Sequence, residues 1–256
     1  MTYRIGVIGV GIIGEPVVRG LVAVHGAGAE IHLSPRTASR AAALAAYPTV
    51  TVEADNQAVA DRSDWVILAV LPGVAETIIR GVRFRADHRI VSLISTASLA
   101  DLRAWTGVTA ITRMVPLPYV AQRQGPIATY PMSEAVAAVF GGLGTLVAAD
   151  DEAGLETMST ITSMQSAFFA AVAEVVGWAS AHGVRPEAAE RFTLDFFAAL
   201  LAKSTTLSPA DLAEHWREMT PGGLNHTAMT YLTAEGAIAA WSGAMDAVLA
   251  RRRTAI

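Results

Sequence analysis

Through residues 1–150, short apolar runs alternate with stretches whose apolar positions recur at helical spacing. Residues 5–8, 29–33, 50–52, 65–70, 89–95, 110–114, 128–130 and 143–147 read as strands, and 65–70, apolar at every position, reads as buried on both faces. Between them, the stretch after Gly14 as far as Val24, then 39–46, 56–60, 75–82, 99–106 and 133–140 read as helices. This alternation predicts a parallel sheet covered by helices on both faces. The acidic break Asp150-Asp151-Glu152 ends the pattern. Beyond it strands disappear, and 155–181, 186–203, 209–218 and 224–251 read as helices, with Ser208 placed to cap the helix that starts at Pro209 and Asp211 in its first turn. The expected organisation is an α/β domain over 1–150 and an all-helical domain over 151–256.

The turn after the first strand carries chemistry. Gly9-Val10-Gly11-Ile12-Ile13-Gly14 lies between an apolar strand and a helix start, the context in which a G-x-G-x-x-G turn takes a dinucleotide pyrophosphate. Gly9 permits the tight turn, Gly11 leaves room for a phosphate, and Gly14 lets helix and strand approach, while the helix start offers free N–H groups and a positive dipole end. The first domain is therefore expected to be a Rossmann dinucleotide-binding domain. At the end of the second strand, where an acid would bind ribose hydroxyls, the chain has Ser34-Pro35-Arg36-Thr37, with Ser39 and Arg40 behind. Hydroxyls and a guanidinium without a carboxylate favour a 2′-phosphate, hence NADP(H) over NAD(H).

Composition narrows the remaining possibilities. Apolar residues make up 52% of the chain, yet no uninterrupted apolar run reaches the length of about 20 residues that a membrane span needs. In the long helical stretches the excess apolar residues, such as Phe168, Phe169, Val172, Val175, Val176 and Trp178, predict a homodimer or higher homo-oligomer formed through the helical domain. A net charge of −4 with dispersed signs leaves no basic stripe for nucleic acid, and Arg251-Arg252-Arg253 reads as a frayed, solvated tail. The absence of cysteine removes disulfides, thiolate metal sites and thiol nucleophiles. Histidines are scattered without a partner at ligand spacing, so no metal site is expected. The first strand starts within a few residues of Met1, with no basic and apolar leader before it, and a cytoplasmic setting is expected.

Several fragments, in order, carry a family resemblance. Gly9, Gly11 and Gly14; Ser34-Pro35-Arg36; Ala69-Val70-Leu71-Pro72; Arg113-Met114-Val115-Pro116-Leu117-Pro118; and Thr220-Pro221-Gly222-Gly223 together resemble the pyrroline-5-carboxylate reductases. The resemblance implies a Rossmann domain followed by an all-helical substrate and dimerisation domain, with Gly9, Gly11, Ile12, Ile13, Gly14, Ser34, Arg36, Thr37, Ala69, Val70, Leu71 and Pro72 on the cofactor. It implies reduction of a cyclic imine such as 1-pyrroline-5-carboxylate to proline by hydride transfer. The cofactor half follows the family more closely than the substrate half. Leu71 stands where the family has lysine, Leu117 where it has asparagine, Leu224-Asn225 where it has two threonines, and Ser163-Met164-Gln165-Ser166-Ala167-Phe168 where it has Gly-Ser-Gly-Pro-Ala-Tyr.

Hydride addition to a protonated imine needs positioning and electrostatics more than a strong acid. The Gly222-Gly223 turn is a candidate to present N–H groups to a substrate carboxylate, or else a plain turn, while Ser163, Gln165 and Ser166 either line the pocket or cap a helix. His226 is the candidate proton donor, with Thr220 and Asn225 as further donors; the structural alternative is an exposed histidine at a helix start. The single lysine, Lys203, lies late in the second helix of that domain, which disfavours the lysine-dependent hydroxy-acid reductases of related fold. Two alternatives stay open: reduction of another small imine or ketone, and a non-catalytic NADP(H)-binding sensor.

Overall fold

The computed structural model describes residues 2–36 and 38–254. Eight strands form one sheet: β1 (Tyr3–Ile8), β2 (Ala29–Leu33), β3 (Val50–Val52), β4 (Trp65–Leu68), β5 (Arg89–Ser92), β6 (Ile111–Val115), β7 (Pro126–Tyr130) and β8 (Thr145–Ala148). Their order is β3-β2-β1-β4-β5-β6-β7-β8. The first six strands run parallel, as expected. β7 pairs antiparallel with β6 and parallel with β8, so the last two strands reverse direction. The reason is the connection: a parallel crossover needs a dozen or more residues and usually a helix, whereas β6 and β7 are joined by a short segment holding only the 3-10 turn Pro118–Gln122.

Helices α1 (Gly14–His25), α2 (Ala38–Leu44), α3 (Asn56–Asp61), α4 (Ala75–Arg80), α5 (Leu99–Thr106), α6 (Glu134–Phe140) and α7 (Glu152–Ile161) accompany the sheet. Local chemistry sets their ends. Asp55 caps α3 by accepting from Ala58 N–H, Ser98 and Asp101 close a capping box on α5, and Gly107, left-handed at φ 71°, terminates it. α1 buries Val17, Val18 and Leu21 against the core formed with Ile5, Val7 and Ile31. A second core, with Ile8, Val66, Leu68 and Ile90 at its centre, collects α3, α4 and α5. Removing apolar surface from water is the main stabilising term for both, at about 25 cal/mol per Å².

The remaining helices are α8 (Gln165–Ala181), α9 (Pro186–Ser204), α10 (Pro209–His215), α11 (Leu224–Ala234) and α12 (Ala237–Thr254). Ser208 caps α10, its Oγ accepting from Asp211 N–H at 3.1 Å. Two long helices expected from the sequence are each divided. The stretch 155–181 breaks at the 3-10 turn Thr162–Met164, and 224–251 breaks at Glu235-Gly236, where Gly236 adopts φ 70°. A left-handed glycine ends a helix at little cost, and apolar periodicity carries no trace of it. α10 also ends at His215, short of the expected Glu218.

The described chain separates into two compact units, one running through Ser159 and resuming at Arg252, the other Thr160–Arg251. The division falls beyond the acidic break because Leu155 of α7 is buried with Ala128 and Ala149, which attaches that helix to the sheet. Among the described residues, no helix is long and apolar enough to cross a membrane.

Candidate functional site

At the carboxyl ends of β1, β2 and β4 a cavity of about 430 Å³ is bounded by the glycine turn, the segment after β2 and the loop after β4. The turn is built by steric necessity. Gly9 sits at φ 103°, and a Cβ there would lie 2.5 Å from the Ala69 carbonyl oxygen. A Cβ on Gly14 would collide with the Gly9 carbonyl oxygen. Gly11 differs: nothing lies within 4 Å of a Cβ built on it, so the protein itself places no steric demand for glycine there. An open glycine at the start of α1 leaves the space that a phosphate approaching the helix N-terminus would take.

Of the residues expected on the cofactor, Gly9, Gly11, Ile12, Arg36, Ala69, Val70 and Leu71 line this cavity together. Ile12 and Leu71 are 72% and 77% exposed, apolar side chains presented to the cavity mouth instead of the core. Ile13 is partly buried against the core, Gly14 is buried at the start of α1, and Pro72 is exposed and opens the 3-10 turn Pro72–Val74. Thr37 lies outside the described residues. Ser34 is placed differently from a phosphate ligand. It is only 1% exposed, it does not line the cavity, and its Oγ accepts from Gly9 N–H at 2.9 Å. The hydroxyl thus fixes the glycine turn from behind.

Sequence reasoning did not place Val10, Val74 or Ile78 on the cofactor and named Arg40 only as lying behind the phosphate segment, yet all four line the cavity. Arg40, in α2 and four residues after Arg36 in the sequence, carried the readable signal. Its Nη1 donates to Glu15 Oε2 at 2.6 Å, while Arg19 donates to the same carboxylate at 2.9 Å. Arg19, and then Arg40, hold the Glu15 carboxyl below the usual carboxylate range against the opposing effect of its partial burial. Arg40 therefore shares one carboxylate with Arg19. Arg36 is exposed and has no ion pair among the described residues, which leaves its planar fork of donors available to an oxyanion at the cavity edge.

A charged cluster adjoins the ends of β5 and β6. Arg113 is buried; its Nη1 donates to Glu152 at 2.7 Å and its Nη2 to the Ser95 carbonyl at 3.2 Å. Glu152 also accepts from Leu99 N–H at 2.8 Å. Arg252, expected in a solvated tail, instead donates to Ser159 Oγ at 2.6 Å and to the same Ser95 carbonyl at 3.3 Å. Burial, and the proximity of Arg113, lower its affinity for a proton below that of a free guanidinium.

The helical unit holds the other candidates. Gly222, at φ 74°, makes a turn only glycine adopts readily, and Gly223 leads into α11 with its own N–H bonded to the Thr220 carbonyl at 2.9 Å. Thr220, Asn225 and His226 are exposed around this turn. His226 lines a cavity of about 450 Å³ with Trp216, Met219, Met229 and Thr230; Thr220, Gly222, Gly223 and Asn225 do not. Ser163, in the 3-10 turn, donates to the Thr160 carbonyl in the last turn of α7 at 2.7 Å, and Gln165 and Ser166 are exposed at the first positions of α8. No group of three or more His, Asp or Glu side chains suited to a metal occurs among the described residues.

Residues 4–98 match the family model described as NADP oxidoreductase, coenzyme F420-dependent. Over nearly its full length the chain superposes on pyrroline-5-carboxylate reductase from Streptococcus pyogenes, with TM-score 0.83, 20% identity, and 99% of each chain covered. The fold is that of the pyrroline-5-carboxylate reductases. The Plasmodium falciparum pyrroline carboxylate reductase, solved with NADP bound, gives TM-score 0.81 at 13% identity over 98% of this chain and 97% of that one. An imine reductase from Aspergillus terreus, in complex with NADPH4 and dibenz[c,e]azepine, gives TM-score 0.60 at 18% identity over 95% of this chain and 88% of that one.

Proposed function

We propose that the protein is an NADP(H)-dependent reductase that delivers hydride to the carbon of a cyclic imine such as 1-pyrroline-5-carboxylate. The observation that carries this reading is the cavity at the strand ends. It joins an open Gly11, the start of α1 and an Arg36 with no ion pair among the described residues, and no carboxylate of the described residues lines it. These residues fit a dinucleotide with a 2′-phosphate: α1 and the glycine turn for the pyrophosphate, Arg36 for the extra phosphate, and Ala69, Val70 and Leu71 along its edge. When bound, NADPH supplies the hydride. The protein's part is to hold the acceptor carbon in line and to exclude water, for which the apolar Leu71 and Ile12 are suited. His226, Asn225 and Thr220 are the proposed donors to the imine nitrogen or its substituents, and Ser163, Gln165, Ser166, Gly222 and Gly223 the proposed substrate contacts.

The working species is proposed to be a homodimer in the cytoplasm. The support is the number of large apolar side chains left open in the helical unit, among them Trp178 at 62%, Phe192 at 75%, Phe196 at 51% and Leu224 at 90% exposure. A second reading, reduction of a bulkier apolar imine, is favoured by Trp216, Met219 and Met229 around His226 and by Leu224 beside the glycine turn.

The test follows nicotinamide absorbance with NADPH and 1-pyrroline-5-carboxylate, then with an apolar cyclic imine lacking the carboxylate. Turnover with the first supports proline formation, and turnover confined to the second supports the bulkier substrate. Tight NADPH binding without turnover on either would overturn both and leave a sensor.

A further inference from the structure

A second cavity, of about 410 Å³, opens at the opposite ends of the strands from the glycine turn. It lies where β4, β5 and β6 begin: Trp65 and Arg89 are the first residues of their strands, and Arg103 projects from α5. Along β4 this is a strand's length, about 13 Å, from Ala69 at the first cavity. No residue of one cavity lines the other.

Its chemistry is uneven in an informative way. The floor is apolar, with Ile90, Ile111 and Val136, and no carboxylate is among the lining residues. Several exposed arginines elsewhere are compensated: Arg4, Arg62, Arg80, Arg191 and Arg217 each pair with an acid. Neither Arg89 nor Arg103 makes a side-chain ion pair or hydrogen bond among the described residues. Arg89 is nevertheless held in place, its guanidinium 5.2 Å from the centre of the Trp65 ring. Trp65 is itself set edge-on to Phe140 at 5.5 Å and 74°. Ser133 adds a hydroxyl whose oxygen accepts from Val136 N–H at 3.2 Å, leaving its hydrogen to donate elsewhere.

We propose that this cavity is a second small-molecule site, for an organic carboxylate with an apolar body. The carboxylate sits at Arg89 and Arg103, with Ser133 as an additional donor, and the apolar body lies on Ile90, Ile111 and Val136. Guanidinium groups pair with carboxylates through parallel hydrogen bonds, and a cavity of this volume with few polar groups over an apolar floor is typical of small-ligand sites. The site is independent of the reductase reading, since it shares no residue with the cofactor cavity.

Phenylacetate is the probe, titrated by calorimetry into the full chain, with phenylethanol and inorganic phosphate as the uncharged and non-apolar controls. Saturable binding of phenylacetate is expected, weakened about tenfold or more in R89A/R103A and in the single variant R103E, whose site on an exposed helix position leaves folding intact. Both controls are expected to bind at least about tenfold more weakly than phenylacetate. Arg36→Glu, at the other cavity, is expected to leave phenylacetate binding unchanged. The proposal is overturned if phenylacetate does not saturate, if either control matches it, or if R103E binds it as the wild type does.

Discussion

Ser34→Ala separates two roles that one hydroxyl can play. A serine at the end of β2 reads from the sequence as a phosphate ligand, but here its Oγ accepts from Gly9 N–H at 2.9 Å and the residue is 1% exposed. Its backbone is fixed independently, because Ser34 N–H donates to the Val7 carbonyl at 3.0 Å. Removing Oγ therefore leaves the segment in place and orphans the amide of Gly9, the residue whose φ of 103° shapes the turn. A hydrogen bond of this kind contributes about 0.5–1.5 kcal/mol, and the half-buried amide recovers part of that by bonding to water, which sets the stability loss near 1 kcal/mol. In a chain of this size that is a fall in Tm of about 2–4 °C. If the turn loosens by the same free energy, affinity for a dinucleotide falls about two- to tenfold.

The distinguishing quantity is the ratio of NADPH to NADH affinity. A turn shared by both cofactors weakens both together, so Ser34→Ala should lower the two affinities in parallel and leave the ratio within about twofold. Arg36→Glu should do the opposite, weakening NADPH about ten- to hundredfold through loss and reversal of a charge-assisted contact, with NADH little changed. Fluorescence titration of both cofactors against both variants, with thermal melts alongside, measures the four numbers. A tenfold loss of NADPH with NADH untouched in Ser34→Ala would refute the argument, because it would put the hydroxyl on the phosphate instead of behind the turn.

Three further outcomes follow from other parts of the molecule. His88 is fully buried, its Nε2 donating to the Ala60 carbonyl at 3.1 Å and its Nδ1 accepting from Arg85 N–H at 3.0 Å; burial first, and then the Arg85 charge, push its proton affinity below the ordinary imidazole range. The unfolded chain then binds the proton more readily, so this contribution is fully present above the ordinary histidine range and is lost as pH falls toward the depressed value; melting between about pH 7.5 and about pH 5.5 should show a shallower loss in His88→Gln than in wild type, and equal slopes would count against it. Arg113→Ala strips Glu152 of its 2.7 Å partner and leaves the Ser95 carbonyl to Arg252 alone, and denaturant unfolding should show a loss of about 3 kcal/mol, near the lower end for a buried pair because Glu152 keeps Leu99 N–H and stays one-third exposed; a loss below about 1 kcal/mol would show that the cluster is not needed. Phe192→Asp places a charge on a residue 75% exposed in α9 and should shift the proposed dimer toward monomer in sedimentation at low micromolar concentration without lowering helix content, whereas an unchanged dimer would exclude that face from the interface and a monomeric wild type would refute the dimer itself.

The half of the chain that was legible is the half whose signals are local. The run 65–70, apolar at every position, reads as a buried strand, of which β4 occupies 65–68, and Gly9 and Gly14 could only be glycine, because the carbonyls of Ala69 and Gly9 occupy the space a Cβ would need. Both facts follow from short segments and their immediate partners. What escaped depends on contacts that spacing does not encode. Arg252 reads as tail until Ser159 and the Ser95 carbonyl are brought beside it, and Ser34 reads as ligand until the turn at Gly9 folds over it. The breaks at 162–164 and 235–236 are invisible to apolar periodicity, since it continues through both while Gly236 takes a left-handed conformation.

The same contrast explains why the candidate donors of the helical unit were harder to place than the cofactor cavity. A glycine turn at a strand end is specified by backbone geometry, so three glycines and an arginine locate it. A pocket made by helices is specified by side chains from several turns, and His226 shares a cavity with Trp216, Met219 and Met229 that no motif records. Leucine at 71 and 224 is the residue-level trace of that difference. Both are exposed apolar side chains where the resembled family places lysine and threonine, and an exposed leucine with no core to join is costly in water unless something covers it. Leu71 borders the cofactor cavity, where a nicotinamide or an imine ring would remove it from water. Leu224 stands at the first position of α11, beside the turn whose N–H groups were expected to meet a carboxylate. On the proposed function, an isobutyl group in place of a hydroxyl there would trade a donor for apolar surface, lowering the preference for a charged substrate and raising it for one with more carbon. Leu224→Thr is accordingly the substitution expected to raise kcat/KM for 1-pyrroline-5-carboxylate relative to an apolar imine, by about three- to thirtyfold for one restored hydrogen bond to a charged group. A ratio that stays fixed would mean that Leu224 faces away from substrate and that the carboxylate, if bound at all, is held by other groups.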